Sequence, residues 1–266
     1  SVVRTGMLNR EEIIGALETG LGAREVFRAA WLGGSDANGR ADAMSDIDVF
    51  FVYPAGRLDE AERAFDEVVA SISPVAIRYR MPEPAWHGSR QVFYQLENAP
   101  ECLMIDWLAV EAGKDHPWLE RERHGTPRVL FDRDGLIKPN SVDRAAIDEA
   151  VRRKVEELRL RFPLLRHLAA KQAARGLPVD GAYFYQALVL RPLVDMLRCA
   201  HAPERHDFGF RYLRDDLPRE VYERVCRLAY PRGAEEIERM TGEAAELFSG
   251  ALAAWDRRVE RRSADG

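Results

Sequence analysis

Two aspartates, Asp46 and Asp48, stand one residue apart at the head of the apolar run Ile47–Tyr53 (IDVFFVY). Branched and aromatic residues dominate that run and predict a strand. Side chains two apart on a strand leave the same face, so both carboxylates are held where they can share hard divalent cations. Val26–Leu32 predicts an earlier strand. The segment between them, GGSDANGRADAMS (33–45), has the Gly, Asp and Asn content of a loop. Gly34 lets the backbone approach a phosphate closely. The amides and hydroxyl around Ser35 suit a triphosphate tail if a helix starts there. Two metals on such carboxylates would activate an acceptor hydroxyl and neutralise a leaving pyrophosphate during in-line displacement. The plain alternative is a polar hairpin loop leading into an ordinary strand.

The pair Gly34-Ser35 followed ten to eleven residues on by Asp46-x-Asp48, with the loop glycine and the apolar strand behind it, resembles the signature of the DNA polymerase β-type nucleotidyltransferase superfamily. The resemblance implies a mixed α/β catalytic domain, two Mg2+ ions, and ATP or another nucleoside triphosphate as co-substrate. It also implies a third carboxylate from a neighbouring strand, for which Asp106 in CLMIDWLAV (102–110) is the fitting position. An aspartate in so apolar a strand is costly unless a metal or an acceptor proton compensates it. Its role, metal ligand or general base, stays open at this level. A small catalytic domain followed by helices is similar to the antibiotic nucleotidyltransferases that adenylylate aminoglycosides or lincosamides, and VLFDRDGLI (129–137) looks like a segment common among them. Similar enzymes place a basic residue near the start of the helical half on the triphosphate, which points to Lys154; a helix-face pairing with Glu149 or Glu157 explains that lysine equally well.

The α+β class follows from a change of period along the chain. Residues 9–20 predict a helix with Asn9 as N-cap and Gly20 or Gly22 as its stop. Leu58–Ser71 predicts another. Further strands are expected at Val75–Tyr79, Gln91–Leu96, Cys102–Val110 and Arg128–Phe131. From Val142 onward the pattern is helical, a bundle of four or five helices broken at Pro163, Gly176–Pro178, Pro203–Gly209, Pro218 and Pro231–Gly233. Lys138–Asn140 is the expected linker, which gives a catalytic domain over residues 1–139 and a helical domain over 140–266 that closes the acceptor side of the cleft. The final RRSADG is expected to fray.

Charge narrows the substrate. The chain has 266 residues and a net charge of −5, so a long nucleic acid is a poor partner. Residues 143–266 hold 23 basic and 21 acidic side chains, leaving 16 and 23 in residues 1–142, so the acidic half is where cations are expected. Cys102, Cys199 and Cys226 lie far apart with no ligand spacing, which argues against a disulfide framework and a structural zinc and fits a reducing cytoplasm. No export signal and no membrane span is read. The expected partners are a nucleoside triphosphate and a small hydroxyl acceptor; oligomeric state is left open, a homodimer included. A protein or tRNA acceptor, as in toxin–antitoxin pairs, and a silent nucleotide-binding module are the rival readings. Tyr183, Phe184, Tyr185 and Gln186 could stack on a ring of a ligand but read first as core. The six histidines show no metal-ligand spacing and read as structural or surface residues, and HDFGFRYLRDDL (206–217) as a turn packed onto the bundle.

Overall fold

The computed structural model describes residues 6–264 apart from Pro84 and Trp86, with side chains described as far as Arg261. The chain forms two compact units, Ser1–Val142 and Asp143–Gly266. The break falls just beyond the Lys138–Asn140 segment.

In the first unit the order is α1 (Arg10–Gly22), β1 (Ala29–Leu32), the single turn α2 (Gly34–Ala37), β2 (Ile47–Tyr53), α3 (Leu58–Ile72), β3 (Val75–Arg80), β4 (Gln91–Leu96), β5 (Met104–Glu111), α4 (Arg121–His124) and β6 (Arg128–Asp132). Asn9 caps α1 as expected. Its side chain accepts from the Glu12 amide while the Glu12 carboxylate accepts from the Asn9 amide, a reciprocal capping box. The six strands form one mixed sheet in the order β3-β4-β5-β2-β1-β6, in which β2 and β5 run parallel and the other neighbours antiparallel. Two strands start later than their sequence suggests. Val26 lies in a turn ahead of β1, and Cys102 in a turn ahead of β5.

Each strand's alternation sorts its side chains between two faces. One face is closed by α1 and α3: Ile13, Leu17 and Leu21 of the first and Phe65, Val68 and Val69 of the second pack on Leu32, Val49, Phe51, Ile105, Trp107 and Tyr94. The other face is closed over β1, β2 and β5, where Trp31, Phe50, Val52, Leu108 and Val110 lie under Leu119, with Trp118, Leu136 and Ile137 against them. The 129–137 segment builds part of that cover. Asp132 accepts from the Leu136 and Ile137 amides (2.9 Å each), which turns the chain so that both apolar residues reach the cluster.

The second unit is helical: α5 (Arg144–Leu165), α6 (His167–Ala174), α7 (Pro178–Tyr185), α8 (Arg191–His201), α9 (Leu213–Asp216), α10 (Arg219–Arg227) and α11 (Ala234–Ala264). These exceed the expected four or five because several are short. Pro163 does not break its helix either. It lies within the last turn of α5, so the one i→i−4 bond it removes is close to where the chain turns into α6. The RRSADG end is helical as far as Ala264, and Asp265 and Gly266 lie outside the described residues. Between α7 and α8, Gln186–Leu190 forms a π-helical turn. Tyr185 is buried there with its hydroxyl donating to the Leu228 carbonyl (2.7 Å), Gln186 donates to the Ala229 carbonyl (2.9 Å), and Phe184 packs on the same core. Tyr183 is exposed. The 206–217 segment wraps a buried guanidinium: Arg198 donates to the Gly209 and Arg211 carbonyls and to Asp216. Among the described residues no helix is long and apolar enough to cross a membrane.

Candidate active site

Register explains why the carboxylates meet. In the parallel β2–β5 pair Asp48 lies directly opposite Asp106, and Ile47 opposite Ile105. The two aspartates therefore leave the same face of adjacent strands, close enough that a proton on Asp106 would bridge to Asp48. Burial pushes both carboxyls above the ordinary range, and the neighbouring Asp48 charge adds to the rise at Asp106. Asp46 sits one pleat earlier, its carboxylate accepting from the Met104 amide at 3.2 Å. Among the described residues no three His, Cys, Asp or Glu side chains form a ready metal cage. What exists is a tight pair with a third carboxylate close enough that its charge raises both.

Gly34 is built against this pair. Its φ is +52°, and a Cβ there would overlap Asp48 Oδ2. The turn α2 begins at that glycine, and in a helix the first N–H groups have no intrahelical acceptor. The Ser35 carbonyl accepts from the Arg40 amide (2.9 Å) and Asn38 Nδ2 donates to the Gly34 carbonyl (2.8 Å), which close the loop behind the turn.

Two features of the site have no signature in the sequence. The first is Arg10, 7% exposed, on the opening turn of α1. Its Nε donates to the Ser45 carbonyl and one terminal nitrogen to the Asp46 carbonyl, both at 3.0 Å, while the guanidinium pairs with Asp36, itself 3% exposed. One side chain thereby ties α1, the turn α2 and the start of β2 together. Arg10→Ala leaves the buried Asp36 carboxylate only its longer contact with Arg128 (3.6 Å) and is expected to cost about 3 kcal/mol. Urea denaturation measures it, and a loss below about 1 kcal/mol would assign the loop's order to its own turns instead.

The second is a hydrogen-bonded chain behind Asp106. The Ser89 amide donates to His87 Nδ1 (3.2 Å), so the ring proton lies on Nε2, which faces Gln91 Oε1 at 3.1 Å. That bond fixes the amide orientation, and Gln91 Nε2 donates to Asp106 Oδ2 at 2.5 Å. Gln91 thus favours the ionised form of Asp106 against burial and the Asp48 charge. The sequence leaves His87 open to a structural or a surface role; its ring sits behind the site.

Lys154 belongs to the helical unit, on α5. Its ammonium donates to the His206 carbonyl (2.7 Å) and pairs with Asp195 Oδ1 (3.2 Å) rather than with Glu149 or Glu157.

No family model and no curated protein matches the sequence. Solved structures do. Among them is an adenyltransferase. The aminoglycoside 6-adenyltransferase from Bacillus subtilis is 12% identical, with 96% of this chain and 92% of that chain covered and a TM-score of 0.38. The CdnE cyclic dinucleotide synthase from Elizabethkingia meningoseptica, determined with GTP and Apcpp, is 13% identical over 87% and 88% of the two chains, with a TM-score of 0.28. CdnC from E. coli MS115-1, in its complex with HORMA-deltaN, is 15% identical over 91% and 89%, also at 0.28. Likeness at this level assigns no function, and the functional case rests on this chain's own residues.

Proposed function

We propose that the chain is a magnesium-dependent nucleotidyltransferase that moves a nucleoside monophosphate, AMP from ATP, onto a hydroxyl of a small molecule. The observation that carries the reading is the Asp48–Asp106 pair, a half-buried and a buried carboxylate in register against a glycine turn. Such a pair of like charges is unfavourable by itself. Hard divalent cations are the partners that oxygen donors of this kind accept, so the residues fit the metal. Asp46, Asp48 and Asp106 would hold it, and bound there it would supply charge neutralisation at the reacting phosphate and a lowered acceptor pKa.

The chain's own residues account for the remainder. Gly34 lets the turn lie directly against Asp48, and the leading amides of α2 with the Ser35 hydroxyl orient the polyphosphate. Arg10 keeps the loop and Asp46 in place. Gln91 holds one oxygen of Asp106, leaving the other turned to Asp48 or to an acceptor proton. The surrounding cover of Trp31, Phe50 and Trp118 keeps water from one side of the row.

The test is pyrophosphate release from each of the four nucleoside triphosphates with magnesium, against a panel of hydroxyl compounds that includes aminoglycosides and lincosamides. Release that requires both an acceptor and the metal, and that stops on chelation, is the expected result. Triphosphate binding without release under every condition would overturn it in favour of a silent binding module.

A further inference from the structure

The sheet face that carries the carboxylates continues beyond them. Register places Tyr79 opposite Phe93, Phe93 opposite Asp106 and Asp106 opposite Asp48, so four side chains form one line across β3, β4, β5 and β2. Adjacent strands lie about 4.8 Å apart, which puts Phe93 about 5 Å and Tyr79 about 10 Å along the sheet from Asp106. On the β1–β2 side this face is buried and on β4 Phe93 is half-buried, but over β3 it is bare among the described residues: Ile77 is 59% and Tyr79 52% exposed. An uncovered apolar edge strand is a liability that folded proteins ordinarily blunt. On β3 the charged residues Arg78 and Arg80 go to the other face, tied to Glu62.

The bare region is a recess of about 540 Å³, lined chiefly by Ile77, Tyr79, Met81, Phe93, Gln95 and Met104. That volume falls among small-molecule sites, and its makeup, mostly apolar with few polar groups, is theirs too. The Tyr79 and Phe93 rings, 5.9 Å apart and inclined by 31°, offer a two-ring surface. Lysine and arginine are missing from the lining, which does not suit a phosphate chain; one carboxylate, Glu101, does not suit a polycation either.

We propose that the Tyr79–Phe93 face seats the acceptor of the transfer reaction, and that this acceptor is a hydroxyl compound whose flat apolar ring lies about one sugar's width from the reacting hydroxyl. This rests on the nucleotidyltransferase reading above. With the ring on Phe93 and Tyr79, the hydroxyl reaches Asp106. Its oxygen forms a bond to the α-phosphorus, the bond from that phosphorus to the bridging oxygen breaks, pyrophosphate leaves with that electron pair, and the hydroxyl proton passes to the carboxylate row and on to water.

The test is a binding titration of the full chain by calorimetry with three probes: 2-naphthyl β-D-glucoside, methyl β-D-glucoside and a 2-deoxystreptamine aminoglycoside. The naphthyl glucoside is expected to bind at least about tenfold more tightly than either, and Phe93→Ala or Tyr79→Ala to remove that advantage. Tyr230→Ala, at an 85% exposed tyrosine of the helical unit, controls for losing any surface ring. Equal binding of the three probes, no binding at millimolar concentration, or undiminished binding by both variants would overturn the proposal. Magnesium-dependent ATP binding is titrated on the same preparations. Its absence alongside an intact naphthyl preference would count against the nucleotidyltransferase reading, whereas its presence without the preference counts against the platform alone.

Discussion

Asp106→Asn is expected to yield a protein that is more stable than wild type without metal yet slower in nucleotidyl transfer by about a thousandfold or more. The opposite signs come from one cause. Asp106 is 9% exposed, burial lifts its carboxyl, and the Asp48 charge lifts it further. An asparagine keeps the shape, still accepts from Gln91 and can donate to Asp48, turning a repulsion into a charge-assisted hydrogen bond of about 1.5–3 kcal/mol. The same substitution removes a negative charge that metal and substrate require.

The pH dependence fixes the sign independently. Both folded-state carboxyl values lie above those of the unfolded chain, so across this window the folded protein binds more protons than the unfolded one. Stability contributed by the pair is therefore present at low pH and falls as the pH climbs from the ordinary carboxylate range through the raised folded values. Thermal midpoints of metal-free wild type should decline over that span, and Asp106→Asn should flatten the decline. Magnesium should raise the wild-type midpoint near neutral pH and leave that of Asp48→Asn unmoved. A metal-free Asp106→Asn protein less stable than wild type would mean that the pair is a structural hydrogen bond and not a strained binding site.

What the sequence made legible follows from how far each interaction reaches along the chain. Asp46 and Asp48 share a strand, so the period of two sufficed to place both carboxylates together. Asn9 and Glu12 lie within one turn, and their capping box needs nothing else. Asp106 was reachable because an acid inside an apolar strand is conspicuous, although its partner depended on a parallel register that no local pattern carries. Arg10 lies 35 residues from Ser45, and Gln91 lies 15 from Asp106. Arginine on an opening helical turn and glutamine at the start of a strand are ordinary local choices, so their roles emerge only once α1 and β4 are docked. The acceptor face is hidden for the same reason: Ile77, Tyr79 and Phe93 look like core until β3 proves to be the uncovered edge.

Gly34→Ala is expected to reduce transfer by at least about a hundredfold while costing about 1–3 kcal/mol of stability. At φ +52° an alanine carries left-handed strain, and its Cβ would occupy the position of Asp48 Oδ2. The carboxylate must turn away, which breaks its alignment with Asp106. Gly39 separates the two causes. It has φ +66° and open space where a Cβ would go, so Gly39→Ala bears the backbone strain alone, about 1–2 kcal/mol, and should keep most of the activity. Steady-state kcat/KM and denaturation midpoints of the two variants decide the matter. Similar stability losses with a large gap in activity would show that Gly34 is there for the carboxylate. Equal losses of activity would move the argument to the loop, because backbone freedom would then be all that either glycine supplies.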